Sequence, residues 1–301
     1  KAPYIMGYYN YEDLPIGNVV PISPYKAAAM SWGELGLHYG RLLTDTKKHR
    51  IKLGATLKLI QGYEAAWFSN NQTMLMQKES SQTRFNMVDV DAAYTSFAGN
   101  GEGFSPAVNG RGAAIDLGVI FEIKPGKSKS NNRCAYDWKL GFSMLDFGGI
   151  KFRHNTRHYH FKTDDIITID HDRIEDVDNV NQLAGVISQA VYGSRDEYSE
   201  GFSMSLPSAF SVQVERSLGK GFFLNATAVK RINTGKNGVR RENMWAVTPR
   251  FENRLFEFMM PFVVYERNDP RLGAAMRIGF LTIGSDNLGS IIRKQNFSGS
   301  D

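Results

Sequence analysis

The sequence predicts an all-β fold and, within that class, an antiparallel transmembrane β-barrel. Three observations carry the prediction. Period-2 alternation of apolar and polar residues recurs along most of the 301 residues. The second face of these segments mixes small residues with charges of both signs, which suits a polar barrel interior better than a water-facing sheet. The links between segments sort into short and long sets, as the two ends of an outer-membrane barrel do.

Composition excludes several alternatives. Hydrophobic residues make up 42% of the chain and charged residues 22%, which is a folding composition rather than a disordered one. The single cysteine, Cys134, excludes an intrachain disulfide framework and any Cys-cluster metal site. No run approaches the roughly 18 apolar residues of a spanning helix. A mean hydropathy of −0.34 does not argue against barrel strands, which are apolar only on alternate residues. The net charge is +5 and the pI about 9.1, with Lys and Arg spread along the chain. That distribution excludes nucleic acid as a partner and fits a basic rim facing anionic lipid headgroups.

Residues 1–30 are rich in Pro, Gly and Tyr and read as a loop segment. The barrel domain is expected over 31–301, incomplete at both ends, with further strands in the full protein. Residues 49–62 set Ile51, Leu53, Ala55, Leu57 and Leu59 against Lys52, Gly54, Thr56 and Lys58. Residues 111–123 set Ile115, Leu117, Val119, Phe121 and Ile123 against Asp116, Gly118 and Glu122. Residues 134–146 set Tyr136, Trp138, Leu140, Phe142 and Met144 against Asp137, Lys139, Gly141 and Ser143. Residues 209–217 set Phe210, Val212 and Val214 against Ser211, Gln213 and Glu215. Residues 271–281 set Leu272, Ala274, Met276, Ile278 and Phe280 against Arg271, Gly273, Arg277 and Gly279. Weaker alternation marks 31–40, 86–97, 150–162, 221–231, 243–251 and 254–265.

The charged members of these faces are the candidate lumen residues: Lys52, Lys58, Asp116, Glu122, Lys139, Arg271 and Arg277. Tyr39, Tyr63, Trp67, Tyr94, Tyr136, Trp138, Trp245 and Tyr265 fall near strand ends, where an aromatic girdle is expected. The short links are 41–48, 148–149, 218–220 and 252–254, and the long ones 62–85, 124–133, 163–208 and 233–242. The link 98–110 is of medium length on the short side, and 285–294 falls on the short, periplasmic side.

Within the 163–208 loop, residues 172–192 read as one helix. Ile174, Val177, Val180, Leu183, Ile187 and Val191 recur at helical spacing, with acidic residues early. Such a helix either caps the barrel mouth or serves as a constriction or partner-docking element.

Candidate chemistry is sparse. His154, His158 and His160 could face a metal only if the backbone bent, and Arg153 and Arg157 crowd them. Asp164, Asp165, Asp170 and Asp172 lack the order of a calcium loop. Ser203, Ser205 and Ser208 lack a nucleophile frame, and Gly99–Gly103 lacks the Lys and helix of a phosphate loop. No enzyme, metal or cofactor is expected.

Three segments resemble a known family. These are Leu206-Pro207-Ser208-Ala209-Phe210-Ser211-Val212-Gln213 with Lys220-Gly221-Phe222-Phe223-Leu224-Asn225-Ala226; Gly238-Val239-Arg240-Arg241-Glu242-Asn243 with Thr248-Pro249-Arg250-Phe251-Glu252; and Pro270-Arg271-Leu272-Gly273 with Ile283-Gly284-Ser285-Asp286-Asn287-Leu288. They are similar to an uncharacterised β-barrel family of the Bacteroidota outer membrane, loosely PorP/SprF-like and FadL-like. The resemblance is densest over 205–293. It implies an exported outer-membrane barrel of about fourteen strands in the full protein and brings no catalytic residues.

Two functions follow as expectations. The first is a non-enzymatic accessory or scaffold subunit of an outer-membrane assembly, with outer-membrane lipid and other outer-membrane or periplasmic proteins as partners. Ile291, Ile292 and Arg293 are its candidate partner-binding residues. The second is a passive channel or transporter for a small or hydrophobic solute. A soluble β-sandwich binding module is the contrasting architecture.

Overall fold

The computed structural model describes residues 14–95, 107–125, 136–175, 177, 179–193, 198–232, 235, 237–266 and 269–289. In chain order the first strands are β1 (Val19–Ile22), β2 (Tyr25–Asp45), β3 (His49–Asn70), β4 (Met74–Lys78), β5 (Gln82–Asn86), β6 (Val88–Thr95), β7 (Gly110–Ile123), β8 (Trp138–Phe152), β9 (Thr156–Thr163) and β10 (Ile167–Asp170). Two helices follow, α1 (His171–Glu175) and α2 (Val180–Tyr192). The remaining strands are β11 (Phe202–Ser205), β12 (Ala209–Gly219), β13 (Phe222–Arg231), β14 (Met244–Glu252), β15 (Phe256–Met259), β16 (Phe262–Tyr265), β17 (Asp269–Leu272), β18 (Ala274–Ile278) and β19 (Leu281–Ser285).

The large sheet is an antiparallel meander of ten lanes: β2, β3, β6 with β7, β8 with β9, β11 with β12, β13, β14, β15 with β16, β17 with β18, and β19. Each lane pairs with its chain neighbour, so the connections are hairpins rather than crossovers. Among the described residues β2 and β19 are the two edges.

The faces follow from the alternation. One carries an exposed apolar band in which Leu37, Leu57, Ile115 and Phe147 lie side by side in register. The other carries the charges. There, side chains two lanes apart touch: Lys58 of β3 meets Asp146 of β8 at 2.5 Å, and Glu215 of β12 meets Arg250 of β14 at 3.1 Å. Lanes are about 4.8 Å apart, so such contacts mark the charged face as the concave one. Ring contacts on the apolar face, such as Phe142 with Phe210, join adjacent lanes.

One end of the sheet carries a head. The strands β1, β4, β5 and β10 form a separate four-stranded sheet. Between it, the upper lanes β6 and β9, and α2 lies a core of Val88, Val90, Tyr94, Tyr159, Phe161, Ile167 and Ala184. The helix is thus a packed cap element. Asn179 caps it by accepting a hydrogen bond from the Gln182 amide at 3.0 Å, and Gly193 ends it at φ 70°. The single helix expected over 172–192 is two helices, because Asn179 is extended at φ −152°.

Other expectations are corrected. Gly148 and Gly149 form no turn: they lie inside β8, where a Cβ on Gly148 would sit 2.1 Å from the Ala113 carbonyl oxygen. They are glycines because backbones meet there. Residues 150–162 accordingly split between β8 and β9. The stretch 271–281 is interrupted at Gly279 (φ 59°) and Phe280, where the chain turns back as β19. The chain therefore leaves Ser285 toward the head end, opposite to the short-turn side expected for 285–294, of which residues 290–294 lie outside the described residues. The link after β7 falls at the short-turn end, not with the long links. The link 98–110 ceases to be an exception, because β6 and β7 are two pieces of one lane beside β3. The loop segment 1–30 contains β1 and the start of β2.

The aromatic girdle is only partly realised. Tyr39, Trp138 and Trp245 are exposed on the apolar face, whereas Trp67 and Tyr94 are buried in the two cores.

Candidate functional site: the ion-paired concave face

Three ion-pair clusters cross-link the lanes on this face. In the first, near the head, Lys58 Nζ reaches Glu34 at 3.6 Å, Asp116 at 3.0 Å and Asp146 at 2.5 Å. The second Asp146 oxygen takes Arg241 at 2.7 Å. Asp146 is there because β8 bulges. Its φ is 54°, the β7–β8 register shifts between Ile115 and Leu117, and its amide donates to Asp116 Oδ1 at 2.7 Å.

The second cluster lies at the short-turn end. Glu122, buried, accepts Lys52 at 2.6 Å and Arg50 at 3.5 Å. Arg50 and Lys124 share Asp45. The third cluster lies at the same end further along the sheet. Glu215 accepts from the Tyr136 hydroxyl, from Lys139 at 3.1 Å and from Arg250 at 3.1 Å. Arg250 also reaches Glu252 and Glu257, and its guanidinium lies 4.2 Å from the Phe223 ring centre. Arg277 completes the chain to Glu257 at 2.8 Å.

Toward the head the face is filled by an apolar stopper. Ile60, Ala114, Ile150, Phe152, Met204 and Leu206 are buried together, with Trp32, Met30 and Val239 packed on them. Gly62 and Gly110 leave room for Phe152: a Cβ on either would come within 2.6 and 2.7 Å of its ring. Val239 belongs to the link between β13 and β14, which is folded over the concave face. It is held there by a Ser205–Gly238 bridge and by the Arg241–Asp146 pair.

Between the stopper and the short-turn clusters lies a hollow of about 560 Å³, lined by His38, Thr56, Asp116, Ser143, Ser211 and Gln213 among others. Its floor is a cross-strand row in register: Gly40, Gly54, Gly118, Ser143 and Ser211. A Cβ on these three glycines would meet nothing closer than 3.7 Å, so here glycine keeps space open rather than allowing backbones to touch.

Of the sequence-predicted residues, Lys52, Lys58, Asp116, Glu122, Lys139 and Arg277 all lie on this face and in these clusters. Arg271 lies on it beside Val263 in register, its guanidinium 4.6 Å from the Tyr265 ring centre. Ile291, Ile292, Arg293, Cys134 and Gly99–Gly103 lie outside the described residues. Sequence reasoning missed Glu34, Asp45, Asp146, Arg241, Arg250 and Glu257 as partners. Glu215 was placed on the right face by alternation but not singled out. Arg250 and Glu257 had the same weak signal, while Arg241, in a coil link, had none.

The histidines do not converge. His158 rests against Trp67 with ring centres 5.4 Å apart, His154 lies in the turn between β8 and β9, and His160 Nδ1 pairs with Asp91 at 2.5 Å. Asp89, Asp91 and His160 bring ligand atoms within 4.8 Å on the exposed face of the head. That group is already charge-compensated, since Lys162 lies 3.3 Å from Asp89 and Asn71 donates to both carboxylates. Asp89 and Asp91 therefore belong to the head, not to the polar face of a spanning strand. Ser208 donates to the Asp146 carbonyl at 2.6 Å and is structural.

The fold and this face define an all-β, antiparallel sheet protein with an ion-paired concave side. The chain belongs to a family of unknown function (DUF5723), whose model matches residues 5–286. No curated protein and no solved structure matches it.

Proposed function

We propose that this protein is an integral outer-membrane β-barrel that serves as a non-enzymatic accessory or scaffold subunit of an outer-membrane protein assembly. The exposed apolar band supports the membrane part. From Ile115 to Ile123 along β7, through Leu117, Val119 and Phe121, it runs about 26 Å at ~3.3 Å per residue, close to the apolar height of such barrels. In this reading the concave face is the lumen and the lanes β2 and β19 are joined or covered in the bilayer, because lipid does not tolerate an open strand edge. The PorP/SprF-like resemblance points the same way.

One observation carries the choice of scaffold over pore: the stopper. Val239 sits in an apolar cluster across the head end of the lumen, and Arg241 is pinned to Asp146 beside it. The test is extraction of the full-length protein from its own outer membrane in mild detergent. Partners at fixed stoichiometry, with no steady conductance in a planar bilayer, are expected. A lone barrel with steady conductance overturns the scaffold reading.

The hollow favours a second reading, a passive channel or transporter. Ser211 is 4% exposed and lines the hollow, and its hydroxyl has no hydrogen-bond partner among the described residues. Under this reading a small polar solute meets that hydroxyl, and Ser211→Val changes its uptake without changing stability.

A further inference from the structure

Ion-pair clusters tie the concave face together, but among the described residues one group of cations on the opposite face has no carboxylate partner. Arg111 of β7 and Lys151 of β8 are direct cross-strand partners, and Arg153 and His154 follow in the turn above. All four are exposed and line one cleft of about 470 Å³ together with Val108, Asn109 and Gly110. Among the described residues no carboxylate pairs with Arg111, Lys151 or Arg153.

The cleft is built rather than incidental. Asn109 is buried. Its carbonyl accepts the Arg153 and His154 amides at 3.0 and 3.2 Å, and its side chain joins Tyr63 and Asn155. This fixes the turn that carries two of the cationic side chains. Like charges directly opposite each other on a sheet are destabilising, so the Arg111–Lys151 pair is a cost that no carboxylate among the described residues relieves.

Position indicates what relieves it. In register, Gln61, Arg111, Lys151 and Ser203 form a polar row across four lanes. On the same face Leu57, Ile115 and Phe147 form an apolar row nearer the short-turn end. Lys151 is about 13 Å beyond Phe147 along the strand at ~3.3 Å per residue. The cations therefore stand just past the edge of the apolar band, at headgroup level in the membrane reading, on which this inference rests.

We propose that Arg111, Lys151, Arg153 and His154 bind the phosphate of an anionic membrane-lipid headgroup in the leaflet at the head end. The guanidinium forks of Arg111 and Arg153 match phosphate oxygens bidentately, Lys151 adds a point charge, and the lipid's acyl chains lie along the band below.

The test uses the full-length protein in neutral detergent and the double variant Arg111→Gln/Lys151→Gln, with Arg153→Gln as an independent second variant. Native mass spectrometry counts retained phosphatidylglycerol against phosphatidylcholine, and thermal unfolding is followed with each lipid and with inorganic phosphate. The expected result is a preference of about tenfold for phosphatidylglycerol that weakens with salt and is lost in the double variant. Arg153→Gln should reduce it. An unchanged preference in both variants overturns the site. An equal thermal shift from inorganic phosphate overturns the lipid source and leaves a free-anion site. If the wild-type protein stays dispersed without detergent and does not float with vesicles, the membrane reading itself fails, whatever the variants do.

Discussion

Lys58 and Asp146 meet at 2.5 Å although a whole lane of the sheet, β7, lies between their strands. The contact exists because Asp146 occupies a left-handed bulge at φ 54° that turns its side chain to the concave face. Asp116, in the intervening lane, shares the same ammonium at 3.0 Å. With Glu34 of β2 at 3.6 Å, one cation thus ties four lanes at the level where the stopper begins.

Removing that cation should be costly. Lys58→Met leaves Asp116 and Asp146 facing each other, with Arg241 compensating only Asp146. A loss of about 1–3 kcal/mol is expected for half-buried carboxylates that lose a shared cation. Asp146→Asn keeps the backbone conformation, since Asn tolerates the left-handed region, and isolates the charge. The double variant should cost less than the sum of the single ones, which urea unfolding of the detergent-solubilised protein measures.

The glycines divide into two sets with opposite predictions. A Cβ at Gly148 would meet the Ala113 carbonyl oxygen at 2.1 Å, so backbone must move. A Cβ at Gly118 meets nothing closer than 3.7 Å. Gly148→Ala should therefore destabilise by about 1–3 kcal/mol, while Gly118→Ala should be neutral. Gly118→Leu should fill the hollow without unfolding the sheet, seen as unchanged heat stability and reduced solute access to a reporter placed at Ser211.

These cases also show what the sequence revealed. Alternation located Lys52, Lys58, Asp116, Glu122, Lys139 and Arg277 because each sits in its strand among apolar neighbours with no extra residue between them, and period 2 then assigns faces correctly. It failed at Asp146, which by parity shares the face of Met144, because a bulge residue leaves no mark on composition. Gly148 and Gly149 imitate a turn, since a close backbone approach and a tight turn ask for the same residue. The Gly279–Phe280 turn was hidden because apolar residues continue on both sides of it. The helix break was in principle legible: Asn179 before Val180 is a cap signal. The partner of Arg241 was not, because a coil segment carries no periodicity to place it.

Acid should loosen the head. The Asn71 side-chain hydrogen bond, with Lys162 and His160 beside it, holds the Asp89 carboxyl below the usual aspartate range. A carboxyl depressed in the folded state contributes stability that is present above its unfolded value, near 4, and is lost as pH falls through its folded value. Amide protection in β6 and β9 should therefore decline below about pH 4. Asn71→Ala should shrink that decline, because it brings the folded value up toward the unfolded one and leaves less stability for acid to remove. Hydrogen exchange of peptides from these two strands, in the wild-type protein and in Asn71→Ala, reads both outcomes.

The face assignment has the most direct test. Leu117, Phe142 and Ile278 project from three separate lanes on the apolar face and are 43%, 48% and 55% exposed. In water, residues so exposed tolerate Arg with changes within about 0.5 kcal/mol. At the midplane of a bilayer the same change costs about 2–4 kcal/mol, falling toward zero at the interfaces. Leu117→Arg, Phe142→Arg and Ile278→Arg should each lose stability in lipid vesicles, and Ser203→Arg, in the polar row beside Lys151, should not. Ser143→Arg, on the concave face, separates the membrane from simple crowding. It should leave vesicle stability less affected than Phe142→Arg, one residue away in the same strand. Refolding equilibria in vesicles give all five values, and a negligible cost at Leu117, Phe142 and Ile278 alike would remove the membrane-spanning orientation.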